Sequence, residues 1–456
     1  MHGQLAVHFS LYLCLALIAA HHSTRASAAL LPEQGCPMAH CDPQLSDLVH
    51  LPAPTGEVSE IWHRNDLPSE RAGSRQGLGC SGNGVIVACT YSGMSDNLVV
   101  YDYDGNRLWS SGEALNANAY TSAPLVYANG DVVACDNTRV IRFDNAGQLV
   151  WSASLQAGGV PISPVITESG VLILATFGGP IYALDSSDGT MLGHLYVRKD
   201  QNDPGFFETL NTPAVRGNRL YVSTQHQVDG IPDSDNLAWL VAIDVDPAAP
   251  TVDDRLKVAW HYEFGGQSGA SPLIIGRTIY FDGDRPAPGT EKAPHIFAVS
   301  DNGTSPVELW RKRALSKMNA SFARDPRPAG GFWTYSLLSP WLIRLHQLSG
   351  RVMQAIDVDH LLGEEGRHIP RSAMTIAGTD AEPVMIILAT ALNSGATYVI
   401  AVNLMSHALV WKVEVTDIAW AFTAGQFPIV MQNGVPRVVF TTFNAGARAI
   451  GTVIPK

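Results

Sequence analysis

Cys36, Met38, His40 and Cys41 lie within six residues of one another, in Gly35-Cys36-Pro37-Met38-Ala39-His40-Cys41-Asp42-Pro43. Thiolate, thioether and imidazole are soft or borderline donors, so Cys36, His40 and Cys41 are candidate ligands for copper or zinc. The same two cysteines in an exported chain also make a small-loop disulfide, the commoner outcome at this spacing. A redox-active pair is the third reading. Elsewhere the chain carries no Gly-x-Ser-x-Gly, no His-Glu-x-x-His and no phosphate-binding glycine loop. No Asp-rich stretch has the spacing of a calcium loop. Cys89 and Cys135 occupy matching places in Val87-Ala88-Cys89 and Val133-Ala134-Cys135. Matching positions on neighbouring sheets are about 10 Å apart, beyond the roughly 7 Å that a disulfide spans. These two are therefore expected not to bond each other, and to be small core residues.

The elements that would position such groups come from a repeat. An apolar strand ends in Asp or a stand-in, a Gly-centred turn follows, and a second apolar strand often carries Trp. Clear copies are residues 99–109, 140–151, 181–197 and 296–310; weaker ones are 341–358 and 399–411, and a seventh is split between 240–246 and 257–264. Asp102, Asp144, Asp185 and Asp244 end their strands, where Asp bonds backbone N–H groups two residues on. Gly105, Gly147, Gly189, Gly303 and Gly350 follow and supply the positive φ of tight hairpins. Two further strands precede each hairpin. The first opens with a small residue and Pro, as in Ala123-Pro124, Ser163-Pro164, Thr212-Pro213 and Ser271-Pro272. Pro is tolerated there because the first residue of a strand needs no donor.

Four strands per repeat make the blade of a β-propeller. Outer strands are marked by Trp62, Trp109, Trp151, Leu195, Trp260, Trp310, Ala355 and Trp411. The first belongs to an N-terminal strand with no inner strands before it, and the C-terminus offers inner strands with no outer one. The expected fold is all-β, an eight-bladed propeller closed by the N-terminal outer strand completing the last blade, with seven blades as the alternative. Closure of this kind removes the free sheet edge. The periodic Trp residues are read as packing between sheets rather than as ligand platforms.

A propeller receives ligands at the mouth of its channel, where the chain enters each inner strand. Residues placed there are Asn118, Tyr120, Phe207, Glu208, Asn211, Gln267 and Ser268. Their counterparts in later blades are Trp333, Tyr335, Arg371 and Trp420. A buried carboxylate, an arginine and aromatics suit a quinone or a small polar ligand; the plain alternative is a channel filled with polar groups and water. Glu208, Asn211, Gln267, Trp333, Arg371 and Trp420 are the candidate ligand residues, with Glu208 and Arg371 the pair to mutate. Cys80 opens the first inner strand and would reach the Cys36–Cys41 segment if that segment folds over the channel.

The residues Ile181-Tyr182-Ala183-Leu184-Asp185…Gly189 and Val140…Asp144…Gly147…Trp151 resemble the repeat of the pyrroloquinoline-quinone-type (quinoprotein-like) propellers. The resemblance covers most of residues 57–456 and is weakest over 313–395. It implies an eight-bladed ring and says little about activity, because a fold does not name a reaction. The family contains quinone-dependent alcohol and sugar dehydrogenases. It also contains non-enzymatic members, such as the lipoprotein of the outer-membrane barrel assembly machinery. The adjacent cysteine pair that the alcohol dehydrogenases carry over the quinone is missing here, as is a Cys-x-x-Cys-His haem site. Cys14 and Cys36 also lack the small residues before them that a lipid anchor needs.

Formal net charge is −12 and no Lys/Arg-rich run is present, which argues against nucleic acid and anionic membrane surfaces as partners. Leu11 to Ala20 is a short apolar run followed by Ala26-Ser27-Ala28, the pattern of a cleaved export signal. The expected layout is a signal over 1–28, a Cys-containing segment over 29–56 and a propeller over 57–456. The expected protein is a periplasmic or secreted monomer without a membrane span. It acts as a binding or scaffold module, with a protein partner or small molecule at the channel mouth. The rivals are an oxidoreductase using pyrroloquinoline quinone or a metal ion at the ring axis, and a metal-handling protein using Cys36–Cys41.

Overall fold

The computed structural model describes residues 30–64, 76–92, 96–115, 123–232, 237–266, 269–284, 293–314, 316, 318, 321–336, 338–363, 367–415, 425–442 and 446–453. Its strands form eight sheets, each built on four antiparallel strands, in chain order in all but the last. Blade 1 runs from the inner strand Gln76–Gly82 to the outer strand Arg107–Ser110. Blades 2 and 3 have inner strands Leu125–Val126 and Val160–Ile166. In blade 4, Phe206–Glu208 and Ala214–Arg216 together line the inner edge of Arg219–Val228. Blades 5, 6 and 7 begin with Leu273–Ile275, Ala323–Arg324 and Thr375–Gly378. Blade 8 is composite. Its three inner strands end in Ala447–Thr452, and its outer strand is Val58–Arg64 from the other end of the chain, paired Val58 to Thr452. Eight blades and the N-terminal closure are therefore both observed. The buried guanidinium of Arg448 donates to Glu60 across that seam at 2.5 Å.

The repeat residues explain why neighbouring blades lock. The Trp of one outer strand lies against the Gly turn of the next blade, and its indole N–H donates into that turn. Trp109 donates to the Asn145 carbonyl at 3.1 Å, Trp151 to that of Ser186 at 3.2 Å and Trp310 to that of Gln347 at 2.9 Å. Trp62, on the closing strand, repeats this with Tyr103 of blade 1 at 3.1 Å. Gly189 is obligatory in this arrangement: its φ is +76°, and a Cβ there would lie 2.7 Å from the Trp151 ring. Each such Trp buries its large apolar face while satisfying its one donor, which bears out the packing reading. The strand-ending carboxylates are turn formers, as in Asp144, which accepts from the Ala146 and Gln148 N–H groups at 2.9 and 2.8 Å. Among the described residues no helix is long and apolar enough to cross a membrane.

Candidate functional site

The axis of the ring is filled by the chain's own N-terminal segment. Residues 30–55 form a strap whose backbone carbonyls accept from N–H groups of the inner strands of several blades, in blades 2, 4 and 5 from the residue two after the Pro. Val126 donates to Pro37 at 2.7 Å, Val215 to Pro43 at 2.6 Å and Ile274 to Gln44 at 3.0 Å. Arg324 donates to Ser46 at 2.9 Å and Ile376 to Asp47 at 2.8 Å. Cys36 exchanges both backbone bonds with Gly82 of blade 1 at 2.8 Å. Blade 8 reaches the strap through a side chain: the Gln426 amide donates to the carbonyls of Met38 and Cys80, both at 2.9 Å. The strap thus closes the end of the channel toward which the inner strands run. The chain enters those strands at the opposite end.

Cys36 and Cys41 form a disulfide within the strap, and Cys80 forms a second one with Cys89. Cys80 and Cys89 face each other across the inner pair of blade 1 strands. This corrects the expectation that Cys89 is a plain core residue; Cys89 and Cys135 are nevertheless not bonded to each other, and Cys135 is buried in neither disulfide. Both strap sulfurs are taken up in the disulfide and both ring nitrogens of His40 have partners, so the three do not converge as a ligand set. Among the described residues no three His, Cys, Asp or Glu side chains are grouped as metal ligands.

At the centre of the strap is a buried polar cluster. His40 Nδ1 sits 3.3 Å from both carboxylate oxygens of Asp47, and its Nε2 sits 3.0 Å from Ser271 Oγ of blade 5. Ser321 Oγ of blade 6 donates to Asp47 as well. Burial raises the Asp47 pKa, against the opposing pull of His40 and Ser321; burial raises that of neighbouring Asp42 too, against its bonds from Ser46. Tyr335 is drawn into the same cluster. Its hydroxyl donates to the Ser372 carbonyl at 2.9 Å, and burial, with Asp47 and Asp282 nearby, pushes its pKa up while Arg371 pulls it down. Four non-glycine residues of the strap, His40, Cys41, Leu45 and Asp47, have positive φ, a concentration of backbone strain that the surrounding bonds must hold.

Glu208 is at the other end of its blade, ahead of Thr212-Pro213. It is 2% exposed. One carboxylate oxygen accepts from the Gly178 N–H of blade 3 at 2.8 Å, and the other has no hydrogen-bond partner among the described residues. Burial pushes its pKa up to about 6, against that single bond. Asn211 is buried beside it, with its side-chain oxygen accepting from Thr209 at 3.0 Å. Arg371 is half-buried, and its backbone N–H donates to the Leu388 carbonyl at 3.0 Å. Trp333 is elsewhere. It is fully buried on the second strand of blade 6, and its indole N–H donates to Asp325 at 3.0 Å. Phe207 stacks on Trp239, with ring centres 3.9 Å apart. Asn118, Tyr120, Gln267, Ser268 and Trp420 lie outside the described residues. Glu208 and Asn211 thus lie together in blade 4, whereas Trp333 is bonded to Asp325 of blade 6.

No relative among curated proteins matches the chain. Among solved structures, a europium-containing methanol dehydrogenase is similar over 92% of this chain and 98% of its own, at 11% identity and a TM-score of 0.57. The computationally designed Ika8 protein covers 88% of this chain and 100% of its own, at 9% identity and a TM-score of 0.55. BamB from Moraxella catarrhalis covers 88% of this chain and 99% of its own, at 11% identity and a TM-score of 0.46. At such identities the likeness concerns the fold alone. The family model described as outer membrane protein assembly factor BamB matches residues 46–305. That span is more than half of the chain, its repeats are those of the quinoprotein-like propellers, and the chain belongs to this family.

Proposed function

We propose that the protein is an exported binding or scaffold propeller that receives a protein partner at the mouth opposite the strap, with Glu208 as an anchoring carboxylate. The observation that carries this reading is the asymmetry of the channel. One end is closed by the strap, while toward the other a buried carboxylate keeps an oxygen uncommitted. A buried acceptor without a partner costs roughly 1–3 kcal/mol, and a donor or cation brought by a partner would recover that. The family description, an outer membrane protein assembly factor, supports a protein rather than a metabolite as the ligand. Two disulfides suit an oxidising compartment, which favours the periplasm or the exterior.

The test is photo-crosslinking in cells from two positions. Leu210 is 45% exposed beside Glu208 and Asn211; Val85 is 66% exposed in the turn between the first two strands of blade 1, at the strap end. A photoreactive residue at Leu210 should give a discrete adduct that Val85 does not give, and that Glu208→Ala abolishes. Equal adducts from both positions, or none from Leu210, would refute the reading.

A further inference from the structure

We propose that Ser271, His40 and Asp47 form a serine acyl-transfer centre at the ring axis, taking small uncharged acyl esters. The strap supplies the base and the carboxylate; the ring supplies the nucleophile from 231 positions further along the chain. The distances are those of a working relay: 3.0 Å from Ser271 Oγ to His40 Nε2, and 3.3 Å from His40 Nδ1 to Asp47. With Nδ1–H donating to the carboxylate, Nε2 is left to accept the serine proton. This is the tautomer such chemistry requires, and it recurs on unrelated folds. Asp47 is fully buried and also bonded by Ser321, so it acts as a positioning residue for the imidazole.

The repeat itself provides a control. Ser163 of blade 3 occupies the same place before Pro as Ser271. Its Oγ accepts from the Ala123 N–H at 3.1 Å, as Ser271 Oγ accepts from the Thr212 N–H at 3.1 Å. A hydroxyl at this position therefore ties one blade to the next in both places. His40 is an addition at Ser271, and Asp47, which orients it, is also bonded by Ser321 of blade 6. Ser271 at 3% and His40 at 7% exposure are recessed, which limits the site to small substrates. The Asp47 carboxylate against His40 disfavours anionic ones.

The reaction balances without a further reagent. His40 Nε2 takes the Ser271 proton as Oγ bonds the acyl carbon; the ester C–O bond breaks, and the alcohol leaves with that proton. Water then attacks the acyl-serine, gives a proton to Nε2, and the acid departs as Oγ recovers its hydrogen. With phenylmethanesulfonyl fluoride the Oγ–S bond forms as His40 Nε2 takes the serine proton and the S–F bond breaks; fluoride and that proton leave to solvent, and the adduct is stable.

The test is to treat the intact mature protein with phenylmethanesulfonyl fluoride and locate the adduct by peptide mass spectrometry. The expected result is one adduct on Ser271 and none on Ser163. His40→Gln should slow labelling by about 100-fold or more, the usual share of a general base. The comparison of two serines within the unaltered protein stands even if that variant does not fold. No adduct at Ser271, or equal labelling of Ser271 and Ser163, would overturn the proposal.

Discussion

Replacing Glu208 with Gln should stabilise the protein at pH 8 and leave it unchanged near pH 4. In the fold the carboxyl has one N–H donor, from Gly178, and burial moves its pKa from 4.5 to about 6. A carboxyl whose pKa is raised on folding contributes stability below its unfolded value, and that contribution is lost as pH climbs through the folded one. The window is therefore about pH 4.5 to 6. The shift of about 1.5 units corresponds to roughly 2 kcal/mol at 1.36 kcal/mol per unit. Residual solvent screening reduces the usable effect to about 1 kcal/mol. Gln keeps the shape and can still accept from Gly178 while removing the charge. In a chain of this size about 1 kcal/mol moves the melting temperature by roughly 2 °C. The assay is thermal melting of wild type and Glu208→Gln at pH 4, 6 and 8. Wild type should fall behind the variant as pH rises from about 4.5 to 6 and stay behind by a constant margin at pH 8. A variant that is less stable at pH 8, or a difference that is the same at every pH, would show that the buried carboxylate is not under strain.

Three further outcomes follow from the same geometry. Trp151→Ala should cost about 3–5 kcal/mol in denaturant titration, as for other buried Trp truncations. With Gly189→Ala added, the loss should fall short of additive, because the new methyl enters the space the ring vacates. Asp301 is held down to about 2 despite its burial by Tyr221, Gly303, Trp260 and Arg219; the stability this contributes is present above pH 3.8 and lost as pH falls through 2. Asp301→Asn should therefore melt lower at pH 5 and show a shallower acid transition. Non-reducing peptide mapping should recover Cys36–Cys41 and Cys80–Cys89, with Cys135 alkylated only after unfolding. Replacing both Cys80 and Cys89 with Ser should cost about 2–3 kcal/mol for a loop of this length.

The ring was legible because its signals are periodic and local. Asp, Gly and Trp recur at fixed offsets within each hairpin, and an unmatched strand at each end implied closure. The strap was not legible, because it is bound through its backbone carbonyls, which leave no pattern in side-chain types. The Cys80–Cys89 bond depended on strand register. Cys89 invited comparison with its repeat equivalent, whereas its partner lay directly across its own sheet. Trp333 was placed at the mouth by analogy in the blade where the Pro signature is missing; it belongs to the second strand, Phe332–Tyr335, and packs inward. Ser271 could not be told from Ser163 by sequence, since what separates them is a histidine 231 residues away.

The account rests most on the axis being closed by residues 30–55, and hydrogen–deuterium exchange of the protein tests that directly. The amides of Val126, Val215, Ile274, Arg324 and Ile376 all donate to strap carbonyls. Peptides covering them should exchange as slowly as the middle strands of their blades, together with the strap around Cys36 to Asp47. Strap and inner-strand amides that exchange within seconds, while the middle strands remain protected, would show an open channel and contradict the account.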